Sequence, residues 1–226
     1  VLGVTYGKGT GIFTIAANGS SKTLVSESGI RPIFGNDDSR VYFQSFESGK
    51  KAFKSVDLNG GNERTHYTSQ YATQFYPSPD GKWLAFTELF NVYITPLVST
   101  GTTLDLSAGN KSVPLTRITK DAGSYIHWSG DGKKIFWTLG YRYYNREIKN
   151  TFNFVEGAPS VLPEPDTTGI AIGLKLKADL PIGIIALKGA RIITAKGNEV
   201  IEEGTIIIEN NKIKTVGTLA DVQIPA

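Results

Sequence analysis

The amino-acid sequence predicts an all-β protein: a partial β-propeller of about three four-stranded blades, followed by a small β-meander. Two observations predict this fold class. Short runs of β-branched and aromatic residues alternate with turn dipeptides, and no apolar stripe of helical period is sustained. In addition, one turn-and-strand pattern recurs at residues 37–43, 80–86 and 131–137. That spacing is close to the repeat of about 40–45 residues that is typical of propeller blades.

Residues 1–150 supply the predicted blades. Their clearest strands are expected at 12–15, 40–43, 83–86 and 134–137, where Val, Ile, Tyr, Phe and Trp dominate. The turns between strands are expected at dipeptides that tolerate a positive φ: Asn18-Gly19, Gly60-Gly61, Asp80-Gly81 and Asp131-Gly132. An insertion at 99–113, rich in Gly, Ser, Thr and Asn, explains the longer second repeat and is expected to form a surface loop.

The chain changes character after residue 150. Residues 151–181 carry four prolines and are expected to be a connector with one embedded strand at 170–176. Within 182–226, three hairpin-linked strands are expected between 183 and 217. A turn at 196–198 follows the first, and Glu203-Gly204 and Asn210-Asn211 punctuate the last two. This meander shares no repeat with the blades and is expected to be a second domain or part of one.

Composition excludes several classes of function. The absence of Cys excludes disulfides, thiolate metal sites and Cys nucleophiles, and two His cannot form a three-imidazole site. The net charge of +3 comes from scattered side chains, so neither nucleic acid nor membrane is an expected partner. No stretch approaches the roughly 18 apolar residues of a membrane span.

Both ends of the chain favour its being a segment of a longer protein. It begins at Val1 without an initiator methionine and ends at 222–226 without a polar tail. Because propellers close with about four to eight blades, three blades would leave strand edges open. Either further sequence completes the ring, or a second copy of the chain covers the edges as a homo-oligomer.

Two stretches carry a family resemblance. Residues 72–88 resemble a TolB-type propeller blade, whose signature is the Ser-Pro-Asp-Gly-Lys turn found at 78–82, and 126–137 are similar but lack the proline. Residues 187–217 resemble the entry strands of the amidohydrolase superfamily. In that family these strands open a composite β-sandwich beside a metal-dependent (β/α)8 barrel. The order of the two likenesses is that of a group of large exported amidohydrolases.

The resemblance implies that this chain is the non-catalytic N-terminal region of such a hydrolase, which acts on non-peptide C–N bonds. A divalent metal such as zinc would be held in the barrel that this chain lacks, beginning at a downstream His-x-His pair. No catalytic, metal-binding or cofactor-binding residue is therefore assigned here, and no cofactor is expected in this segment. The rest of the parent polypeptide is the expected partner, in the periplasm or outside the cell.

Two alternatives to this function stay open. The chain could be a stand-alone binding module that holds a protein or glycan on a propeller face. It could also be the propeller of an oligopeptidase, although the meander at 187–217 argues against an α/β-hydrolase downstream.

Individual residues with chemical potential are interpreted as structural. His66 and His127 lie in or beside strands and are expected to be satisfied structural histidines. Turn carboxylates are expected to accept backbone N–H bonds: Asp37, Asp38, Asp80 and Asp131. The aromatic and basic run 141–146 could stack bases or sugars, but strand alternation favours packing. The glycines of 7–11 precede a strand and give little support for a phosphate site.

Overall fold

The computed structural model describes residues 2–5, 11–180 and 182–225, with the backbone alone for 2–5. Most of the glycine-rich segment at 7–11 lies outside these ranges. The described residues form strands and a single one-turn 3-10 helix at Ile148–Asn150, which confirms the all-β prediction. The chain divides into two compact units, Val1–Gly173 and Leu174–Ala226.

The first unit contains four sheets in chain order. The first sheet consists of β1 (Leu2–Thr5), β2 (Gly11–Ile15) and β3 (Lys22–Ser26). The second begins with β4 (Ile30–Phe34), β5 (Arg40–Glu47), β6 (Lys50–Asp57) and β7 (Arg64–Ser69), and the third with β8 (Ala72–Pro77), β9 (Trp83–Glu88) and β10 (Asn91–Pro96). β11 (Leu104–Asp105) joins the second sheet beside β7, and β12 (Thr116–Arg117) completes the third beside β10. The fourth comprises β13 (Ser124–Trp128), β14 (Lys134–Leu139), β15 (Arg142–Glu147) and β16 (Ile170–Ala171).

The sheets pack face to face because successive residues of a strand point to opposite sides. In β9, Leu84 and Phe86 join a buried cluster with Phe53 of β6, while Ala85 joins a different one with Trp137 of β14. The third sheet is therefore covered on one face by the second sheet and on the other by the fourth. This is the way blades of a partial propeller bury their faces, as the sequence predicts.

The turns between strands use the expected residues. Gly19, Gly60, Gly81 and Gly132 all have φ between 69° and 84°. In this region of backbone space glycine carries no steric penalty, which is why the chain reverses tightly at these positions.

The insertion at 99–113 corrects one prediction. It is not only a surface loop, since β11 pairs in parallel with β7 and Leu106 is fully buried. The backbone N–H of Leu106 donates to the Thr68 carbonyl (2.7 Å), and Asp105 accepts bonds from Lys50 and Thr68 (both 2.9 Å). Two leucines within a polar segment, the partly buried Leu104 and the buried Leu106, thus anchor a fifth strand of the neighbouring sheet.

Residues 151–173 lie with the blades. Arg142 donates to the Thr168 carbonyl (2.5 Å), and Arg146 donates to the carbonyls of Asn150 (2.5 Å) and Pro163 (2.6 Å). These bonds hold the proline-rich segment against β15, where its residues Ile170–Ala171 form β16. The strand expected at 170–176 is therefore limited to two residues.

The second unit is an antiparallel meander of β17 (Ile184–Ile193), β18 (Val200–Glu209) and β19 (Lys212–Thr218). Asn210 and Asn211, with φ of 48° and 69°, form the second hairpin turn as predicted. The interpretation of Glu203-Gly204 as a strand boundary is wrong, since both lie inside β18. Gly204 is required by packing instead, because a Cβ there would lie 2.2 Å from Cδ1 of Ile192.

Candidate ligand-binding site

The first strands of the second, third and fourth sheets, here called the leading strands, share one irregularity. Each of β4, β8 and β13 carries a one-residue bulge near its start. The register shifts between Ile30 and Ile33, between Ala72 and Gln74, and between Ser124 and His127, respectively. A bulge turns a side chain away from the regular pleat and is frequent beside binding sites.

The bulges surround a cavity of about 790 Å³, here called the leading-strand cavity. It lies at the starts of the leading strands, where the β9–β10 turn and the segments entering β8 and β13 also meet. Its lining consists of Arg31, Tyr71, Thr73, Gln74, Tyr76, Thr87, Leu89, Phe90, Gly123, Ser124, Tyr125 and Ile126. The volume is within the range of about 300–1,000 Å³ that small-molecule sites occupy.

Strained backbone is concentrated around this cavity. Arg31, Leu89, Phe90 and Tyr125 have φ of 53°, 45°, 70° and 54°. Among the described residues these four are the only Arg, Leu, Phe or Tyr with a positive φ. Such conformations cost about 1–3 kcal/mol each and persist where the surrounding structure imposes them, often at ligand sites.

Side chains from neighbouring sheets hold the leading strands in place. The buried amide of Gln44 on β5 donates to the Phe75 carbonyl (2.8 Å) and accepts from the Phe75 N–H (3.2 Å). Trp128 on β13 donates its indole N–H to the Tyr76 carbonyl (3.0 Å). These bonds satisfy backbone groups of β8, and they tie β8 to β5 on one side and to β13 on the other.

The cavity is cationic on one side. The Arg31 guanidinium has no hydrogen-bond or ion-pair partner among the described residues, and none of the described lining residues is Asp or Glu. Burial and the charge of Arg31 both lower the pKa of Lys51. Arg31 and Lys51 thus place positive charge close together without a compensating carboxylate in the lining.

The lining of the cavity is also aromatic. Phe90 and Tyr125 are 78% and 83% exposed, and Tyr71 is exposed beside them. Tyr76 is half-buried, donates its hydroxyl to the Gln74 side chain, and has a pKa raised by burial. Large exposed aromatic side chains beside an unpaired guanidinium can bind an anion that carries an apolar ring.

A second cavity, of about 910 Å³, lies at the opposite ends of the same strands. Three of the four carboxylates in its lining, all but Glu156, already make hydrogen bonds or ion pairs within the fold. Asp80 and Asp131 cap turns, and Glu147 pairs with Lys134 (3.7 Å) and Lys149 (3.0 Å). We therefore take the leading-strand cavity as the candidate site.

His66 occupies a structural position, as predicted. Its ring stacks on Tyr42 and contacts Phe53, with centroid distances of 5.5 and 6.1 Å. Its Nε2 lies 2.7 Å from the Ser55 hydroxyl, which accepts a bond from Arg40 Nε (2.9 Å). Burial lowers the pKa of His66 to about 4, so that the neutral ring is the native form.

His127 is also satisfied, although it is exposed. Its ring stacks on Phe136 with a centroid distance of 5.0 Å, and Nε2 lies 3.0 Å from the Tyr143 hydroxyl. Its Nδ1 lies 3.1 Å from the Tyr125 carbonyl, and this contact stabilises the bulged backbone of β13. In the described part of the chain, no three His, Asp or Glu side chains form a cluster suited to a metal ion.

Three of the four turn carboxylates bind backbone N–H groups as predicted, and for Asp38 the prediction is wrong. Asp80 accepts from the Lys82 N–H (3.1 Å), and Asp131 accepts from the Lys133 N–H (3.0 Å). Asp37 accepts from the N–H and hydroxyl of Ser39, bonds that lower its pKa. Asp38, with φ of 55°, occupies the same turn, but no side-chain bond of it to backbone is seen.

The run 141–146 mainly packs, as its alternation predicts. Tyr144 is buried and stacks on Trp137 with a centroid distance of 5.7 Å. Tyr141 precedes β15 and is exposed, with the Arg142 guanidinium 5.2 Å from its ring centre. This pair does not extend into a row of stacking residues.

Sequence reasoning did not find the leading-strand cavity. Its residues come from separate segments between positions 31 and 126, and neither Arg31 nor Tyr125 belongs to a residue type that signals a positive φ. One signal was available at Leu89-Phe90. Two large apolar residues form the reversal between β9 and β10, a position where Asn and Gly are normally favoured.

No protein-family model and no curated protein matches this chain. Solved structures similar to it include TolB from Acinetobacter baumannii, at 16% identity and a TM-score of 0.36, covering 89% of this chain and 58% of TolB. The β-propeller domain of the Trilobed protease from Pyrococcus furiosus is 10% identical with a TM-score of 0.40, covering 89% and 60%. The periplasmic gluconolactonase PpgL from Pseudomonas aeruginosa is 14% identical with a TM-score of 0.40, covering 96% and 67%.

This chain thus spans less than two thirds of the length of the TolB and Trilobed protease structures to which it is similar. The likenesses assign it neither an activity nor a ligand. In the described ranges, no helix has the length and apolar character needed to cross a bilayer.

Proposed function

We propose that this chain is the non-catalytic N-terminal region of a metal-dependent amidohydrolase, whose meander supplies part of a composite β-sandwich. The observation that carries the proposal is the exposed apolar surface of the second unit. The large exposed side chains on its three strands are Ile184, Ile185, Leu187, Ile193, Val200, Ile213 and Val216.

Both faces of the meander carry such side chains. Ile184 and Ile185 are neighbours on β17 and point to opposite faces, yet they are 43% and 51% exposed. Contiguous apolar surface of this kind marks a face that another part of the protein covers. A three-stranded sheet needs such packing to be stable, and a sandwich partner of the parent polypeptide would provide it.

The sequence resemblance supplies the identity of that parent. Under this proposal the blades and the meander bind no metal, and a divalent ion such as zinc would act in the barrel of the parent. There it would lower the pKa of a bound water to about 7 and so generate the nucleophile. Export to the periplasm or the cell exterior belongs to the same proposal and rests on the same resemblance.

The proposal is tested with two purified proteins: the 226-residue chain and a version extended by the downstream coding sequence. N-acyl amide and cyclic amide substrates, whose C–N bonds are not peptide bonds, would be assayed with zinc and with a chelator. We expect hydrolysis only by the extended protein and only with metal. Metal-dependent hydrolysis by the 226-residue chain would overturn the proposal, and so would a chelator-insensitive serine hydrolase activity of the extended protein.

A second candidate function, a propeller that binds a ligand, is favoured by the leading-strand cavity. The cavity combines an unpaired Arg31 with exposed rings on a backbone that neighbouring sheets hold in place. This role is compatible with the first, because an accessory region can bind a ligand without carrying out chemistry. Ligand binding by the 226-residue chain alone would test the binding role without testing the hydrolase parent.

A further inference from the structure

We propose that the leading-strand cavity binds a small organic carboxylate that carries an aromatic ring. This inference rests on the binding role of the propeller and not on an amidohydrolase parent. The ligand class follows from three features of the cavity: its charge, its rings and its fixed backbone.

The charge selects an anion. Arg31 lines the cavity without a partner among the described residues, and no Asp or Glu of the described lining opposes it. A guanidinium offers two parallel N–H donors that match the two oxygens of a carboxylate. Lys51 adds positive potential close to Arg31, which strengthens the preference for a negative group.

The rings select the body of the ligand. Tyr71, Phe90 and Tyr125 belong to three different segments and are exposed around one cavity. Stacking and edge-to-face contacts between aromatic rings stabilise a complex beyond the gain from burying apolar area. A ligand with one aromatic ring can contact these side chains while its carboxylate reaches Arg31.

The backbone keeps this arrangement in place before binding. The bulges of β4 and β13 set the φ of Arg31 and Tyr125 near 54°, and Trp128 ties β13 to β8 through the Tyr76 carbonyl. A site whose backbone is already fixed loses little conformational entropy on binding. The strain at these bulges is explained if it serves to direct side chains into the cavity.

The inference is tested by isothermal titration of the 226-residue chain at low ionic strength. The probe is N-acetyl-L-phenylalanine, and N-acetyl-L-phenylalaninamide is its neutral counterpart with the same ring. We expect the acid to bind at least tenfold more tightly than the amide. Since a hydrogen bond to a charged group contributes about 1.5–3 kcal/mol, Arg31→Gln should weaken binding of the acid about ten- to hundredfold.

Matched variants separate the contributions. Arg117→Gln makes the same charge change on the exposed strand β12, outside the cavity lining, and should leave the affinity unchanged. Tyr125→Ala should weaken binding of the acid and of the amide by the same factor, because it removes a ring and no charge. Free acetate should not displace the acid at equal concentration.

A measurement on the unmodified chain covers the case in which Arg31→Gln does not fold. Arginine modification by phenylglyoxal, followed by mass spectrometry, should show protection of Arg31 by the acid but not by the amide, with Arg117 as the internal reference. Equal affinity for acid and amide, an unchanged affinity of a folded Arg31→Gln variant, no binding of either probe, or displacement by acetate would each overturn the inference. None of these results bears on the hydrolase parent.

Discussion

The bond pair between Gln44 and the backbone of Phe75 gives the sharpest stability prediction. Gln44 is 3% exposed and lies on β5, yet its amide pairs with both polar groups of a residue on β8. The side chain thus performs the role of a neighbouring strand at the unpaired edge of β8. Gln44→Leu keeps an approximately similar volume and removes both bonds.

The expected destabilisation by Gln44→Leu follows from the two backbone groups of Phe75 that lose their partner. The N–H and the carbonyl of Phe75 would both stay buried without a partner, and each unsatisfied group costs about 1–3 kcal/mol. The added apolar surface of leucine returns about 1 kcal/mol. We therefore expect the free energy of unfolding of the first unit to fall by about 3 kcal/mol.

The assay is urea unfolding followed by tryptophan fluorescence. All three tryptophans, Trp83, Trp128 and Trp137, lie in the first unit, so the signal reports that unit alone. Gln70→Leu makes the same chemical change at an exposed position and should alter the free energy by less than about 0.5 kcal/mol. A loss below about 1 kcal/mol for Gln44→Leu would refute the assigned role of this amide.

Two further predictions concern a buried histidine and a glycine. The pKa of His66 is about 4 in the folded chain against about 6.5 unfolded, so only the unfolded state takes up a proton between these values. Its stabilising contribution is complete above about pH 6.5 and is lost as pH falls to 4. Because the ring is only half-buried and partly screened by solvent, we expect a loss of about 1–2 kcal/mol. His66→Phe should flatten this pH dependence in urea titrations, and an unchanged slope would contradict the assignment. Gly204→Ala should destabilise the second unit by about 1–3 kcal/mol, because its Cβ would overlap the Ile192 side chain. Faster amide hydrogen exchange in β18 is the readout, with Gly109→Ala, which meets no atom within 4 Å, as the neutral control.

Local chemistry made most of the fold predictable. The turn at Asp80-Gly81 and its repeat at Asp131-Gly132 depend on residues adjacent in sequence. The continuous apolar run Trp83-Leu84-Ala85-Phe86 is typical of a strand that is buried on both faces, as β9 is. These features are visible in a single sequence because the interactions that cause them span only a few residues.

The features that sequence reasoning missed depend on distant partners. β11 forms beside β7 only because that edge is free to accept it, and Gly204 is required by a methyl group of the opposite strand. The candidate site was missed for the same reason. Arg31 and Tyr125 meet around one cavity because three sheets pack side by side, and no local pattern encodes that meeting.

The central claim, that the meander continues into the sandwich and barrel of a metal-dependent hydrolase, is tested most directly by the coding sequence that follows Ala226. The account predicts an open reading frame in which further sandwich strands lead to a His-x-His pair within a few tens of codons. A stop codon directly after Ala226, or a downstream Gly-x-Ser-x-Gly motif of an α/β-hydrolase in place of that pair, would contradict it.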